Sequence, residues 1–381
     1  KRLKGTALGI QAGIGNFGVS LAQFVTPVIL SIALYGAPST FTKIDVKEAK
    51  EIFATTSLDQ QAQLFSTLDL KKQEAILSNV DAKVLDSVKA AINSRDHSQI
   101  FVSLPLATKS KIIDNANPKL AEIFLETLRP GNKAVTNQEI YIQSAAFWYV
   151  PFLIIMAILS WFYLKSIPMK ASITEQLDIF KSKHTWYCTI TYLMTFGTFA
   201  GLSAAFPLMI KFLYGEFPGA PDPLKYAFYG PLIGSASRVL FGFIADKVGG
   251  AILTTITGLG ILGGTVILVT QGLVAPTSME QFPLFVGIIL MIFFFTGVGN
   301  AGTFRQYPII FGDNPRQAAG VIGWTAAVAA FGPFIFSKLI GANISSNGGA
   351  NQFFIGLIIF SLIATFINWW FYNRKGCEKP S

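Results

Sequence analysis

Eight stretches of the sequence are long and apolar enough to cross a membrane. A helix needs about 20 mostly apolar residues to span a hydrocarbon core of roughly 30 Å. The stretches lie near residues 6–36, 144–167, 186–214, 226–246, 251–275, 281–304, 318–341 and 351–372. Residues 38–140 break the pattern: they are charged, nearly balanced in sign, and sit between the first and second stretches. The alternation of apolar and polar segments therefore predicts an all-α membrane protein of eight transmembrane helices carrying one small helical insertion.

The insertion repeats itself. Phe65, Leu68, Leu70, Ile76, Leu77, Asn79 and Lys83 recur as Phe101, Leu104, Leu106, Ile112, Ile113, Asn115 and Lys119, at a constant offset of 36 residues. A fixed period of this size marks stacked helical units. Asp59, Asp69 and Asp81 precede short apolar pairs and suit N-caps or first turns. The expectation is several short helices around one small core. The insertion's one histidine, His97, has no second His or Cys near it, which favours a solvated side chain over a metal ligand.

Composition agrees with a membrane protein. Of 381 residues, 51% are hydrophobic and 13% charged, where a soluble domain carries about a quarter charged. The formal net charge of +9 is distributed as an orientation signal, because Lys and Arg gather in cytoplasmic loops. Lys1, Arg2 and Lys4 precede the first stretch; Lys165, Lys170, Lys181 and Lys183 follow the second. Lys247 follows the fourth, Arg316 the sixth, and Arg374, Lys375 and Lys379 the eighth. The opposite loops hold Glu216, Asp222 and Glu280, with Lys211 and Lys225 at their borders. Both ends are thus expected in the cytoplasm of a bacterial inner-membrane protein, and the insertion in the periplasm. No solvated face interleaves basic with aromatic residues, so the charge calls for no nucleic-acid partner. Cys188 and Cys377 make no disulfide framework. The chain opens at Lys1 and enters an apolar stretch almost at once, which suggests a longer protein with an N-terminal part before it.

Charges inside a bilayer cost several kcal/mol, so an intramembrane charge is a functional candidate by default. Arg238 lies about 13 residues into its stretch, roughly 20 Å deep at 1.5 Å per residue. Arg305 stands toward the cytoplasmic end of the sixth stretch, and Asp246 at a membrane border. An arginine keeps its charge at physiological pH and offers a planar fork of donors that matches a small planar oxyanion. It is a poor proton carrier. The plainer reading of each arginine is pairing with backbone carbonyls at a helix break. Two glycine-rich segments carry an asparagine: Gly13, Gly15 and Asn16 in the first stretch, and Gly297, Gly299, Asn300 and Gly302 in the sixth. Small residues let helices approach closely, and an asparagine there can donate to an anion or satisfy a neighbouring backbone. The two segments read as copies of one device, as in a transporter built from repeated halves. A third segment, Gly242 to Gly250 with Asp246, Lys247 and Gly249, closes one helix and turns into the next. Asp246 is placed to cap or pair adjoining helix ends; the plainer reading is a tight turn.

These residues resemble the major facilitator superfamily, whose cytoplasmic loop motif is similar to Gly242–Gly250. More narrowly they resemble the NarK-type nitrate/nitrite porters. Ala12 to Gly18 resembles the family's first nitrate signature, Phe295 to Arg305 its second, and Tyr192 to Gly201 its seventh helix. Arg238 falls where the family has one of two substrate arginines. The resemblance implies a major facilitator helical bundle, of which this chain holds helices five to twelve. It implies alternating access, with nitrate or nitrite bound by Arg238, Asn16, Gly13, Gly15, Tyr192, Phe196, Gly299 and Asn300. It implies gating by Asp246, Lys247, Gly242, Gly249 and Arg305, and neither cofactor nor metal. The expected plan is helix five in 1–37, the insertion in 38–140, helix six in 141–170, a cytoplasmic loop in 171–185, the C-terminal half in 186–375 and a tail in 376–381.

The long insertion between helices five and six departs from the family's expected pattern. It reads either as decoration or as a docking module with a periplasmic partner. Two other readings stand beside nitrate exchange or proton-coupled nitrate uptake for assimilation. One is another small anion carried by the same fold. The other is a sensor that uses the fold to display the insertion. His97 and His184 lie on opposite sides of the bilayer in this topology, and no nucleophile elbow or phosphate loop accompanies them, so an enzyme is not expected.

Overall fold

The computed structural model describes residues 3–78, 80, 82–115, 118–132, 134–165, 172–215, 217 and 219–381. Lys1, Arg2, Asn79, Asp81, Lys170 and Glu216 lie outside the described residues, as do the side chains of Lys4, Lys83, Asn115 and Lys119. Two compact units emerge: residues 1–28 with 160–381, and residues 29–159.

The first unit is a helical membrane bundle. It holds α1 (Lys4–Ile29) and six further long helices. With α9 of the other unit defined below, these are α10 (Lys183–Tyr214), α11 (Leu224–Val248), α12 (Gly250–Thr270), α13 (Met279–Ile310), α14 (Pro315–Asn347) and α15 (Asn351–Asn373). All the expected stretches form helices, but their limits move. The first ends at Ile29, not 36; the irregular segment after it carries Gly36 in a left-handed conformation (φ 77°) and then Pro38. The sixth runs on to Ile310, past its apolar run, because polar residues there find buried partners. Gln306 donates to Asn368 Oδ1 at 3.0 Å and accepts from Thr254 Oγ1 at 3.2 Å. Tyr307 donates to the Cys188 carbonyl at 2.7 Å. Hydrogen bonds of this kind remove the desolvation cost that would otherwise end a buried helix. The seventh is two half-helices, Pro315–Ala329 and Gly332–Asn347. Pro333 supplies no amide to the Ala329 carbonyl, which breaks the ladder near the middle of the span.

The aromatic and aliphatic core of this bundle gathers Phe199, Phe206, Phe285, Phe293 and Phe354. At one end of the bundle the basic residues collect with their partners. Arg316 pairs with Asp178, Lys183 with Glu378 at 2.8 Å, and Lys379 Nζ donates to the Ile310 carbonyl at 3.0 Å.

The second unit contains the insertion. β1 (Ser39–Ile44) pairs antiparallel with β2 (Val135–Ile140), from Ser39 opposite Ile140 to Ile44 opposite Val135. The chain thus enters and leaves through one two-stranded ribbon. Among the described residues, seven short helices run between the strands: α2 (Val46–Thr55), α3 (Leu58–Ser66), α4 (Leu70–Leu77), α5 (Ala82–Ile92), α6 (His97–Ser103), α7 (Leu106–Asn115) and α8 (Pro118–Leu128). After β2 follows α9 (Ser144–Tyr163), none of whose residues from Val150 to Tyr163 is buried.

The 36-residue repeat is visible as packing. Phe65 and its counterpart Phe101 stack face to face, 4.4 Å apart at 10°, and Phe124 packs edge-on to both. Ile76 and Leu77, and their counterparts Ile112 and Ile113, are all buried. Asp69 caps α4 by accepting from the Lys72 amide at 2.8 Å. Asp59 lies in the first turn of α3, whose cap is Ser57. Among the described side chains, the core encloses one cation. Lys109 is 4% exposed and donates to Gln61 Oε1 at 3.0 Å.

Candidate functional site

The site grows out of a close helix crossing. A Cβ on Gly9 would stand 3.0 Å from the Cα of Gly242, and one on Gly13 would stand 2.5 Å from Val239 Cγ2. Only glycine lets α1 and α11 run backbone to backbone here. That crossing carries Asn16 to Arg238. With its amide oxygen turned toward the guanidinium, Asn16 accepts from Arg238 Nη1 at 3.0 Å and donates to the Ala12 carbonyl at 3.3 Å.

Arg238 is 1% exposed, and its Nε and Nη2 have no partner. Its guanidinium lies over the Phe304 ring, 4.6 Å from the centroid. Tyr192 lies beside it and stacks between Phe304 at 5.1 Å and Phe196 at 5.3 Å, with Phe199 beyond at 5.9 Å from Phe196. A π-helical turn at Leu193–Gly197 follows Tyr192 directly. Such widened turns occur often at functional sites. Asn300 stands one turn before Phe304 on α13, fully buried, with neither amide atom partnered. The result is a buried cation with two free donors, lying over one aromatic face and held by Asn16. Few buried polar groups in folded proteins go unpaired, so these donors single out this region as the candidate site.

The expected site residues do not all meet there. Arg238, Asn16, Tyr192 and Phe196 come together. Gly13 serves the α1–α11 crossing. Gly15 has open space where its Cβ would be, with nothing within 4 Å. Gly299 is wedged between Thr195 and Thr257, whose methyl carbons would each lie 2.5 Å from an added Cβ. The two glycine-asparagine segments are therefore not used alike. Ser235, one turn before Arg238, was not singled out in the sequence; its hydroxyl is also buried and unpartnered. The i, i+3 spacing to a central arginine was the signal available.

Two turns further along α11, Asp246 joins three helices. Its carboxylate accepts from the Gly5 amide at 2.9 Å, and from the Thr6 amide and hydroxyl at 2.7 Å each. It thereby caps the N-terminus of α1, where two amides lack intrahelical partners. Arg305 Nε on α13 stands 2.8 Å from the same carboxylate, as an ion contact and not an aligned hydrogen bond. Gly249 then turns the chain at φ 101°, and α12 starts at Gly250. Both readings of this segment hold: it is a tight turn, and its aspartate ties helix ends. Lys247 is exposed and makes no described contact with Asp246.

One further charge escaped the sequence reading. Lys338 lies inside α14, well short of its end at Asn347, and its side chain is exposed.

Residues 39–133 match the family described as MgtE intracellular N domain. Over 384 aligned residues the chain is 43% identical to a Thermus thermophilus protein described as a probable nitrate/nitrite antiporter, NarK2; the match covers 100% of this chain and 66% of that protein. It runs through the insertion, so the long loop is shared with a relative and is not peculiar to this chain. The nitrate/nitrite transporter NarU of Salmonella typhimurium is 31% identical over 256 residues, covering 61% of this chain and 53% of its own. The crystal structure of the Escherichia coli fucose:proton symporter FucP aligns over 96% of this chain and 97% of its own, with a TM-score of 0.47 and 10% identity. The chain thus spans about two thirds of the first relative's length and about half of the second's. With the glycine-asparagine segments, the central arginine and the aspartate-bearing turn all in place, the chain belongs to the NarK-type nitrate/nitrite porters of the major facilitator superfamily.

Proposed function

We propose that this protein moves nitrate and nitrite across the bacterial inner membrane by alternating access, exchanging one anion for the other. The observation that carries the reading is Arg238: a fully buried guanidinium with two unpartnered donors. Nitrate is planar and delocalised, and meets the fork edge-on beside the stacked rings of Tyr192 and Phe196. Asn16 fixes the guanidinium by occupying Nη1, which leaves Nε and Nη2 for the anion. Asn300 supplies an amide on the facing helix, while Gly13, Gly15 and Gly299 give the helices their close approach.

Exchange follows from the same charge. An empty site leaves a buried cation unpaired, which costs several kcal/mol or more. Reorientation is therefore easier with an anion aboard in both directions. Arginine holds its proton throughout, so neutralising it requires an anion.

Asp246 supplies the gate. Its bonds to Gly5 and Thr6 tie α1 to α11 on the Lys/Arg-rich side. Opening toward that side must break them, while the contact with Arg305 keeps the carboxylate compensated. We infer that this side is the cytoplasm and that the insertion, which leaves α1 at its other end, is periplasmic. The MgtE domain family is described as intracellular for its own members; here the charge asymmetry of the loops points outward. Alkaline-phosphatase and fluorescent-protein fusions within 38–140 test this: phosphatase activity supports it, and fluorescence alone overturns it.

The transport reading is tested by nitrate/nitrite counterflow in proteoliposomes with the full-length protein. Counterflow lost in Arg238→Ala is the expected result. No counterflow from folded, inserted wild type would sink nitrate and nitrite as substrates.

A further inference from the structure

We propose that Gln23 is the extracytoplasmic latch of the carrier, a hydrogen bond that holds the far end of α1 against α10 and opens when the anion enters or leaves on that side; the proposal rests on the anion-carrier reading above. α1 and α11 run antiparallel, in contact from end to end. Gly5 meets Asp246, Gly9 meets Gly242 and Gly13 meets Val239. Past Gly13 the character of the contact changes. A Cβ on Gly15 or Gly18 would meet nothing within 4 Å, and side chains bridge the helices instead. Ser20 Oγ donates to the Phe228 carbonyl at 3.0 Å, and Phe24 packs edge-on to the Phe228 ring with 5.1 Å between centroids. Gln23 Nε2 donates to the Ser203 carbonyl on α10 at 2.8 Å.

The acceptor is free for a covalent reason. Pro207, four residues after Ser203 in the same helix, has no amide with which to close the helical hydrogen bond. Gln23 supplies the missing donor from another helix. The hydroxyl of Ser203 itself is engaged elsewhere, donating to the Phe199 carbonyl at 2.7 Å. The bond is also easily released. Gln23 Oε1 is buried and has no partner among the described residues. An unsatisfied buried acceptor is unfavourable because it has lost its water. Separating α1 from α10 lets water reach both Oε1 and the Ser203 carbonyl. The other end of α1 is held differently: the Asp246 carboxylate accepts three hydrogen bonds and faces Arg305. The 18 steps from Gly5 to Gln23 put a strong latch and a weak one about 27 Å apart on one helix. Alternating access opens the two in turn, and the weaker one makes extracytoplasmic opening the easier.

The test uses the full-length protein with Cys188→Ala, Cys377→Ala and any other cysteine replaced. Spin labels are placed at Val28→Cys and Leu224→Cys, exposed positions at the same end of α1 and α11, and the distance between them is read by pulsed electron resonance. Gln23→Leu should raise the ratio of long to short distances about fivefold, the scale of one buried hydrogen bond. Ser20→Ala should shift it the same way by less. In a Pro207→Ala background the Ser203 carbonyl has its own helical donor, so Gln23→Leu should add less than about twofold. In counterflow, Gln23→Leu should lower KM for nitrate at the extracytoplasmic face and raise it at the cytoplasmic face, because the outward-open population grows. A merely damaged fold would lower the maximal rate without splitting the two. Unchanged distances in Gln23→Leu and Ser20→Ala, or the full fivefold shift in the Pro207→Ala background, would overturn the proposal. The distances do not depend on which anion is carried. A shift in them without nitrate counterflow would therefore strike the substrate reading and leave the latch.

Discussion

Two buried cations, one in each unit, meet the same difficulty in different ways. Arg238 in the membrane bundle is 1% exposed, and Lys109 in the insertion is 4% exposed. Each donates to one side-chain amide oxygen, Arg238 to that of Asn16 at 3.0 Å and Lys109 to that of Gln61 at 3.0 Å. Each also faces a phenylalanine: Phe304 at 4.6 Å for the arginine and Phe101 at 5.8 Å for the lysine. Neither is paired with a carboxylate. The chemistry then separates them. Burial holds the Lys109 ammonium below its usual pKa, so the lysine has a route to neutrality by losing its proton. An arginine has no such route at accessible pH, and it is relieved only by an anion. The same local pattern is a structural feature in one unit and, in the function proposed above, a binding site in the other.

The largest expected effect comes from removing the arginine. Truncating one partner of a buried, hydrogen-bonded charge pair costs about 2–5 kcal/mol, so Arg238→Ala should lower counterflow by about a hundredfold or more. Arg238→Lys tests the comparison directly. If charge alone mattered, lysine would suffice. The fork is lost and a buried lysine can deprotonate, so transport should fall nearly as far and recover partly as pH is lowered. Wild-type rates in either variant would remove Arg238 from the site.

Next come the amides that hold each cation. Asn16→Ala frees Nη1 and loosens the guanidinium. A hydrogen bond to a charged group is worth about 1.5–3 kcal/mol, so affinity for nitrate should weaken roughly tenfold or more, with the protein still inserted and folded. In the insertion, Gln61→Leu removes the acceptor of Lys109 and the donor to the Phe53 and Thr56 carbonyls, at 2.8 and 3.0 Å. It should lower the melting temperature of the insertion while leaving counterflow unchanged. A drop in transport with intact folding would mean that the insertion acts on the carrier.

The sequence made much of this legible and some of it not. The eight spans, the repeat and Arg238 were readable because each rests on a local rule: length of apolar run, fixed offset, a charge where none is cheap. The limits of α13 and α14 were not, because Gln306 and Tyr307 are polar by composition and buried only through partners on α10, α12 and α15. The two glycine-asparagine segments looked equivalent, yet Asn16 has a partner while Asn300 has none, and Gly15 is open while Gly299 is enclosed. Those differences depend on which neighbour lies opposite, and a single chain's pattern does not contain that. Lys109 also escaped notice. In a helix rich in lysine it reads as a solvated residue, and only tertiary packing against Phe101 and Gln61 buries it.

The smallest effect is the one that separates the two cations most cleanly. Lys109 binds its proton less tightly in the folded insertion than in the unfolded chain, because burial lowers its pKa from the model-peptide value of 10.5. Stability rises with pH wherever the unfolded state binds more protons. The contribution of Lys109 should therefore be a fixed penalty at low pH, and should diminish as pH climbs through the folded pKa toward 10.5. Other groups titrate in the same range, so the informative quantity is a difference. The insertion has its own core and paired entry and exit strands, and residues 38–140 can be melted as a fragment. Wild type should gain stability relative to Lys109→Met between neutral pH and pH 10, and Gln61→Leu should gain more, since its lysine has lost its acceptor. Parallel curves for wild type and Lys109→Met would mean that the lysine titrates as if solvated. The contrast with Arg238 would then rest on hydrogen-bond geometry alone, and not on the lysine's freedom to become neutral.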